Sequence, residues 1–308
     1  MFPTRDQVVE HIHGHARDAG LELLLGTRVE RLSRGHGSWT VETGKGEIDA
    51  RQVVVATGYE NEPLVPDWDG RESFAGELIH SVEYRNADRF RSRPVLVVGP
   101  GCSGMEIAHD VATGGAAKVW LAVRTPPTII SREGPGGLPG EWIGTAMLYF
   151  PTRLANASAR FGSRQDFGDL SEHGLPVPEE GLMTRLRRDG TAPSIVDKEV
   201  IEAVKEGTVE VVAAVESLDS AGVILAGGSR VEPDAIICAT GYRRALEPLV
   251  GHLGVLDDRG WPAVAAPKPA APGLRFVGYT VRPGALGFMS RQAKRSAKAI
   301  ARELQSHR

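Results

Sequence analysis

Cysteine is almost missing from this chain of 308 residues: there are two, Cys102 and Cys238, far apart and outside any C-x-x-C pair. That scarcity excludes a disulfide framework and a dithiol reductase. No apolar run reaches the length of a membrane helix, so no membrane partner is expected. The opening residues Met1-Phe2-Pro3-Thr4-Arg5-Asp6 have neither the charged nor the apolar region of a secretory signal, and the expected location is the cytoplasm. An excess of one charge is also lacking, with 36 basic against 39 acidic residues and a net charge of −3. Nothing in that balance points to nucleic acid. A metal motif is missing: His11 and His15 share a helix face at i,i+4, but no cysteine or carboxylate pattern joins them, so they read as a solvated face. No acid–base pair or triad stands at recognisable spacing, and no catalytic residue is assigned.

What is present begins at Arg93. Val95 to Val98 form an apolar run of the kind found in a parallel strand covered on both faces. Gly99, Gly101 and Gly104 follow as GxGxxG, and a helix starts, with Met105, Ile107, Ala108, Val111 and Ala112 as its inward stripe. The first glycine permits the tight turn, and the second lets backbone approach a pyrophosphate. The third lets helix and strand pack closely, and the free N–H groups of the helix start face the phosphates. Cys102 and Ser103 lie inside this loop. The next strand, Lys118 to Val123, ends at Arg124-Thr125, where an NAD site would carry an acid. A cation there suits the 2′-phosphate of NADPH.

A second signal is an internal repeat. Gly44 to Tyr59 reads GKGEIDARQVVVATGY, and Gly227 to Tyr242 reads GGSRVEPDAIICATGY. The two align without a gap as glycine turn, outer strand, apolar strand and Ala-Thr-Gly-Tyr. Val-Glu-x-Leu precedes both, at Val29 to Leu32 and Val215 to Leu218. Repetition implies two nucleotide-binding units, each with a small β-meander. In the first, strands are expected at Leu21–Leu25, Thr27–Leu32, Ser38–Thr43 and Glu47–Ala50, with a buried strand at Val53–Ala56. A helix is expected over residues 6–19, burying Val8, Val9, Ile12, Ala16 and Ala19. One helix is expected over Trp142–Leu154, its Met147–Phe150 stretch serving as core face or pocket lining. Another starts near Ser290 with Ala293, Ala297, Ile300, Ala301 and Leu304 inward. Gly134–Gly140 is a breaker cluster.

Phe74-Ala75-Gly76-Glu77-Leu78-Ile79-His80-Ser81-Val82-Glu83-Tyr84-Arg85 fits FxGxxxHxxx(Y/F)(K/R). With Val97 to Glu106 and the tail from Phe276 to Arg295, it resembles the flavin-containing monooxygenase family, in a YUCCA-like form of bacterial type. Pro100 and Cys102 depart from the usual loop and leave the glycine frame intact. The resemblance implies an α/β fold of two Rossmann-like dinucleotide-binding domains, glutathione-reductase-like, with the first incomplete at its N-terminus. The expected division is 1–90 and 243–308 for FAD, with 91–242 inserted for NADPH. It implies FAD and NADPH as cofactors, and molecular oxygen and a small molecule as reactants. Oxygenation of nitrogen, sulfur or an α-keto acid through a flavin hydroperoxide would follow. The residues implied for cofactor binding are Gly99, Gly101, Cys102, Ser103, Gly104, Arg124 and Thr125, with Thr57, Gly58 and His80. The first unit shows no strand–GxGxxG–helix, and an uncovered Val53–Ala56 strand would favour self-association into a homo-oligomer. The alternative is a flavin-free NADP(H)-binding module.

Overall fold

The computed structural model describes residues 3–306, apart from 36, 135–136, 191 and the side chain of Asp189. Helix α1, Arg5–Asp18, starts at a capping box in which Thr4 and Gln7 satisfy each other's backbone amides. None of its residues is buried, so the expected inward face of Val8, Val9 and Ile12 stands in solvent. Leu21–Leu25 is not a strand. A strand requires a neighbour to take its N–H and C=O groups, and no described segment pairs with this one.

Strands β1 (Val29–Arg34), β2 (Trp39–Thr43) and β3 (Gly46–Ala50) form an antiparallel meander. The chain then enters β4, Val53–Val55. Of its three valines only Val55 is buried, and Val54 is 43% exposed. The strand expected to be buried is thus covered on one face only. The short β5, Glu62–Pro63, leads to β6, Glu77–His80, in the Phe74 motif.

Next come β7 (Pro94–Val98), α2 (Cys102–Thr113) and β8 (Lys118–Val123). Val95, Leu96 and Val97 are fully buried, each stabilising the fold by about 1.5–3 kcal/mol relative to exposure. Met105, Ile107, Ala108 and Val111 of α2 pack on that sheet from one side, as their spacing predicts.

A helical insertion follows: β9 (Ile129–Ser131), α3 (Gly140–Met147), α4 (Thr152–Phe167), α5 (Leu182–Asp189) and β10 (Ser194–Val196). The single helix expected over Trp142–Leu154 is two, divided before Pro151, which caps α4 and cannot continue a helix from the preceding turn. Met147 and Leu148 pack on the α4–α5 core, while Tyr149 and Phe150 are exposed. The breaker cluster at 134–140 lies partly outside the described residues.

Helix α6, Lys198–Lys205, returns the chain to β11, Val209–Ala213. A second meander, β12 (Val215–Asp219), β13 (Gly222–Leu225) and β14 (Arg230–Val231), leads into β15, Ala235–Cys238. The repeat extends to its irregularities: β1 slips register between Val29 and Arg31, and β12 between Val215 and Ser217. Strand order in the main sheet is β11-β8-β7-β15-β6, all parallel.

The chain closes with β16 (Tyr242–Arg243), α7 (Glu247–Val250), β17 (Leu274–Phe276) and α8 (Ala285–Ser306). Strand β17 runs parallel to β4. Its Arg275 is fully buried, donating to Gln52 Oε1 at 2.9 Å, to the Pro267 carbonyl at 3.1 Å and to Glu303 of α8. The buried residues of α8 are Gln292 and Ser296, not the expected alanine stripe. Gln292 accepts the Gly278 amide, and Ser296 donates to the Gln292 carbonyl. Polar anchoring at these points turns Ala293, Ala297 and Ala301 outward.

Candidate functional site

Four parallel strands deliver their carboxyl ends to one place. Beyond β7 stands Gly99, beyond β8 Arg124, beyond β11 Ala214, and beyond β15 Ala239-Thr240. From β7 the chain steps through α2 to β8 on one side, while β15 lies on the other side of β7. This reversal is where open α/β sheets bind ligands. A cavity of about 270 Å³ opens there, lined by Gly99, Gly101, Arg124, Thr125, Ala239 and Thr240 among others.

The glycines divide the work. Gly99 has φ +110°, and a Cβ there would lie 2.5 Å from the Ala239 carbonyl oxygen. A Cβ on Gly104 would overlap the Gly99 carbonyl itself. These two permit close packing of turn, helix and strand. Gly101 has no atom within 4 Å of such a Cβ. It is the N-cap of α2 and supplies no side-chain acceptor, so the first amides of the helix remain available to an anion. A helix start with open space before it, and a cation on the adjacent strand end, fits a dinucleotide with a 2′-phosphate.

Arg124 is exposed and has no ion-pair partner among the described residues. Cys102 and Ser103 are exposed on the first turn of α2 but do not line the cavity. The Cys102 sulfur accepts the Ile195 amide at 3.2 Å, and Ser194 Oγ donates to the Pro100 carbonyl at 2.7 Å. The start of β10 therefore lies against the glycine loop. Leu64 and Trp68 also line the cavity. The Thr240 hydroxyl donates to the Leu64 carbonyl, and the Leu64 amide donates to Gly241 at 3.0 Å. Sequence reasoning missed these flanking segments; their one signal is the Pro63–Pro66 bracket around an apolar pair.

His80 stands apart from the cleft. It is 2% exposed, and both ring nitrogens are engaged by backbone. Nδ1 accepts the Val82 amide at 3.2 Å, so Nε2 carries the proton and donates to the Gly241 carbonyl at 3.0 Å. The ring also meets Tyr242 edge-on at 4.8 Å. His80 thus braces the Ala-Thr-Gly-Tyr turn instead of offering a nitrogen to a cofactor. The rest of its motif is structural too. Phe74 packs over Gly76, and Tyr84 donates to Asp110 of α2 and stacks on Phe90. Burial and the Asp110 carboxylate raise the Tyr84 phenol well above its ordinary range.

The other Ala-Thr-Gly-Tyr turn follows β4. Gly58 has φ +76° and Gly241 has φ +84°, so the two turns share their left-handed glycine. Thr57 Oγ1 and the Tyr279 hydroxyl are 2.7 Å apart. Burial pushes the Tyr279 phenol up, which keeps it protonated. Gly284, at φ +68°, leads into α8. Gly144 and Thr145 of α3 lie against Pro283 and Gly284, so the helical insertion reaches the start of α8. Among the described residues no glycine-loop helix stands beside β4. Thr57, Gly58 and the start of α8 fit one end of a second dinucleotide. No metal-binding group of three or more His, Cys, Asp or Glu occurs among the described residues, and no helix among them is long and apolar enough to cross a membrane.

Comparison with known proteins agrees with this arrangement. The flavin-binding monooxygenase-like (FMO-like) family model matches residues 29–252. Indole-3-pyruvate monooxygenase YUCCA1 of Oryza sativa subsp. japonica is 34% identical over 296 residues, covering 94% of this chain and 72% of the relative. Probable indole-3-pyruvate monooxygenase YUCCA3 of Arabidopsis thaliana is 29% identical, with 93% and 68% covered. Among solved structures, a flavin-containing monooxygenase from Stenotrophomonas maltophilia superposes with a TM-score of 0.67 at 21% identity, covering 97% of this chain and 77% of that one. Cyclohexanone monooxygenase gives 0.70 at 16% identity, with 99% and 73% covered. The two-glycine-turn architecture, the cleft at the reversal of the sheet and these matches lead to one assignment: the chain belongs to the flavin-binding monooxygenase-like family.

Proposed function

We propose that this chain is an NADPH- and FAD-dependent monooxygenase whose substrate is an indole-type α-keto acid. The observation that carries the cofactor half is the cleft where Gly99, Gly101 and Arg124 converge at the reversal of the main sheet. The substrate half rests on the identity to the indole-3-pyruvate monooxygenases. The family match begins at residue 29 and runs through the first meander, which favours this reading over a flavin-free module.

In this reading the α2 amides hold the NADPH pyrophosphate and Arg124 holds the 2′-phosphate, with Thr125 beside it. Cys102 fixes the loop against the 193–195 segment, and Ser103 stands beside it on the first turn of α2. Thr57 and Gly58 and the start of α8 hold the flavin end of FAD. When bound, FAD supplies hydride acceptance from NADPH and activation of oxygen. The protein contributes position and exclusion of water. The N-terminus of α8 favours negative charge near it, Tyr279 holds Thr57 through a protonated phenol, and α3 covers the start of α8. In this reading residues 1–90 and 243–308 make the FAD unit and 91–242 the inserted NADPH unit, with one change at the first boundary. Strand β6 pairs with β15, so the NADPH unit takes in residues from Glu77, ahead of the expected start at 91.

The test is oxygen-dependent NADPH consumption with FAD supplied. It uses the 308-residue chain and the same chain fused N-terminally to a strand–GxGxxG–helix segment. Indole-3-pyruvate should accelerate consumption where a thioether and a tertiary amine do not. Equal acceleration by all three would remove the substrate assignment, and no NADPH oxidation by either form would remove the activity.

A further inference from the structure

A second cavity lies in the helical insertion and shares no lining residue with the nucleotide cleft. Its volume is about 420 Å³, inside the range of about 300–1,000 Å³ typical of small-molecule sites. Its floor is apolar: Ile129, Ala159, Leu170, Leu175 and Leu182 line it and are all buried. Its rim is charged, carrying Arg160, Arg164, Asp169, Glu179 and Glu180.

Most of those charges are already matched. Glu180 pairs with Arg188 at 2.5 Å. Asp169 faces Arg164 at 3.8 Å and accepts the Ser171 amide and hydroxyl, which holds its carboxyl below the usual range. Arg160 and Glu179 are different. Arg160 Nη2 donates to the backbone carbonyl of Glu179 at 2.7 Å. The Glu179 carboxylate and the Arg160 guanidinium form no ion pair with each other or with any described residue. The rim therefore carries one cation and one anion with no ion-pair partner among the described residues, Arg160 being held to the backbone of Glu179, above an apolar floor.

We propose that this cavity is a binding site for an apolar α-amino acid, its carboxylate on Arg160, its ammonium near Glu179 and its side chain on the floor. The pairing of unmatched opposite charges selects a zwitterion over a simple acid or amine. Charges left unpaired against an incomplete ligand lose a charge-assisted contact each. The site stands independently of the oxygenase reading, because it uses no residue of the nucleotide cleft.

Calorimetric titration of the full chain with L-phenylalanine tests it, in parallel with 3-phenylpropanoate, which lacks the ammonium, and phenethylamine, which lacks the carboxylate. L-Phenylalanine should saturate one site, with each truncated probe about tenfold weaker or more. Arg160→Gln should reduce L-phenylalanine to the affinity of phenethylamine for the unmodified chain. Glu179→Gln should reduce it to that of 3-phenylpropanoate. Both positions are exposed, so both variants should keep the thermal midpoint. Ser163→Trp, which fills the cavity, should abolish binding. Saturating NADP⁺ should leave the titration unchanged. Absence of saturable L-phenylalanine binding would overturn the proposal. So would equal affinity for all three probes, indifference to both rim variants, or displacement by NADP⁺.

Discussion

Arg124→Ala offers a direct measure of how the cleft distinguishes nicotinamide cofactors. The guanidinium stands at the end of β8, exposed, and no described carboxylate neutralises it. Its removal breaks no hydrogen bond or ion pair among the described residues, so the thermal midpoint should not move. The 2′-phosphate is the one group that NADPH has and NADH lacks. Charge-assisted hydrogen bonds contribute about 1.5–3 kcal/mol, and exposure to solvent moves the expected value toward the lower figure. The variant should bind NADPH about 10- to 150-fold more weakly, with the loss nearer the smaller factor, and bind NADH within about twofold of the unmodified chain. The unmodified chain should also lose part of its NADPH preference as salt is raised, since an exposed pair is screened. Titration of cofactor fluorescence at two ionic strengths measures all four affinities. Equal weakening of NADPH and NADH would refute the reasoning and make Arg124 a structural residue of the loop.

Two glycine variants separate fold from function. Gly104→Ala places a methyl on the Gly99 carbonyl and should cost at least about 1–3 kcal/mol of stability in denaturant unfolding. Gly101→Ala, at φ −73° with open space around it, should change stability by less than about 0.5 kcal/mol and weaken NADPH and NADH alike. Burial pushes the Cys238 thiol up to about 12 from 9.0, and Cys102 is exposed. A thiol reagent at pH 8 should therefore label Cys102 alone until the chain is denatured. The raised value of Cys238 means its contribution to stability is complete below about pH 9 and is lost as the pH climbs toward 12. Because no described segment pairs with the second edge of β4, the 308-residue chain should purify with little FAD and little colour. Adding a strand–GxGxxG–helix segment should raise flavin absorbance, and near-stoichiometric FAD without it would refute this.

The segment from β7 to Arg124 was legible because local rules coincide there. A doubly covered strand, a glycine turn and an amphipathic helix each leave their own mark. The repeated meander was legible from its alignment, although the matching register slips at Val29 and Val215 were not, since an extra residue in a strand has no marker in these sequences. Leu21–Leu25 misled because apolar composition alone does not supply a hydrogen-bonding neighbour. Helix α8 misled because its anchors are polar: Gln292, Ser296 and the Arg275–Glu303 pair settle its rotation, and a hydrophobic count assigns them to the outside. His80 carries the motif that marks the family, yet its ring faces Gly241 across 161 residues of sequence. That partnership depends on β6 joining the edge of a sheet whose other strands come later in the chain.

The unequal surroundings of β4 and β15 bear on how the molecule opens. Strand β15 is hydrogen-bonded on both sides and wholly buried, whereas β4 has β17 on one side and shows Val54 to solvent. Two copies of one supersecondary pattern thus sit at opposite ends of the range of local protection. Amides of the first meander should exchange with deuterium through openings that leave the main sheet closed. Such a chain has a midpoint for each core, and the cleft and rim variants above should leave each of them in place. Trp39 belongs to the core around β4 and Trp120 to the core beneath the main sheet, so melting followed at one tryptophan will precede melting followed at the other.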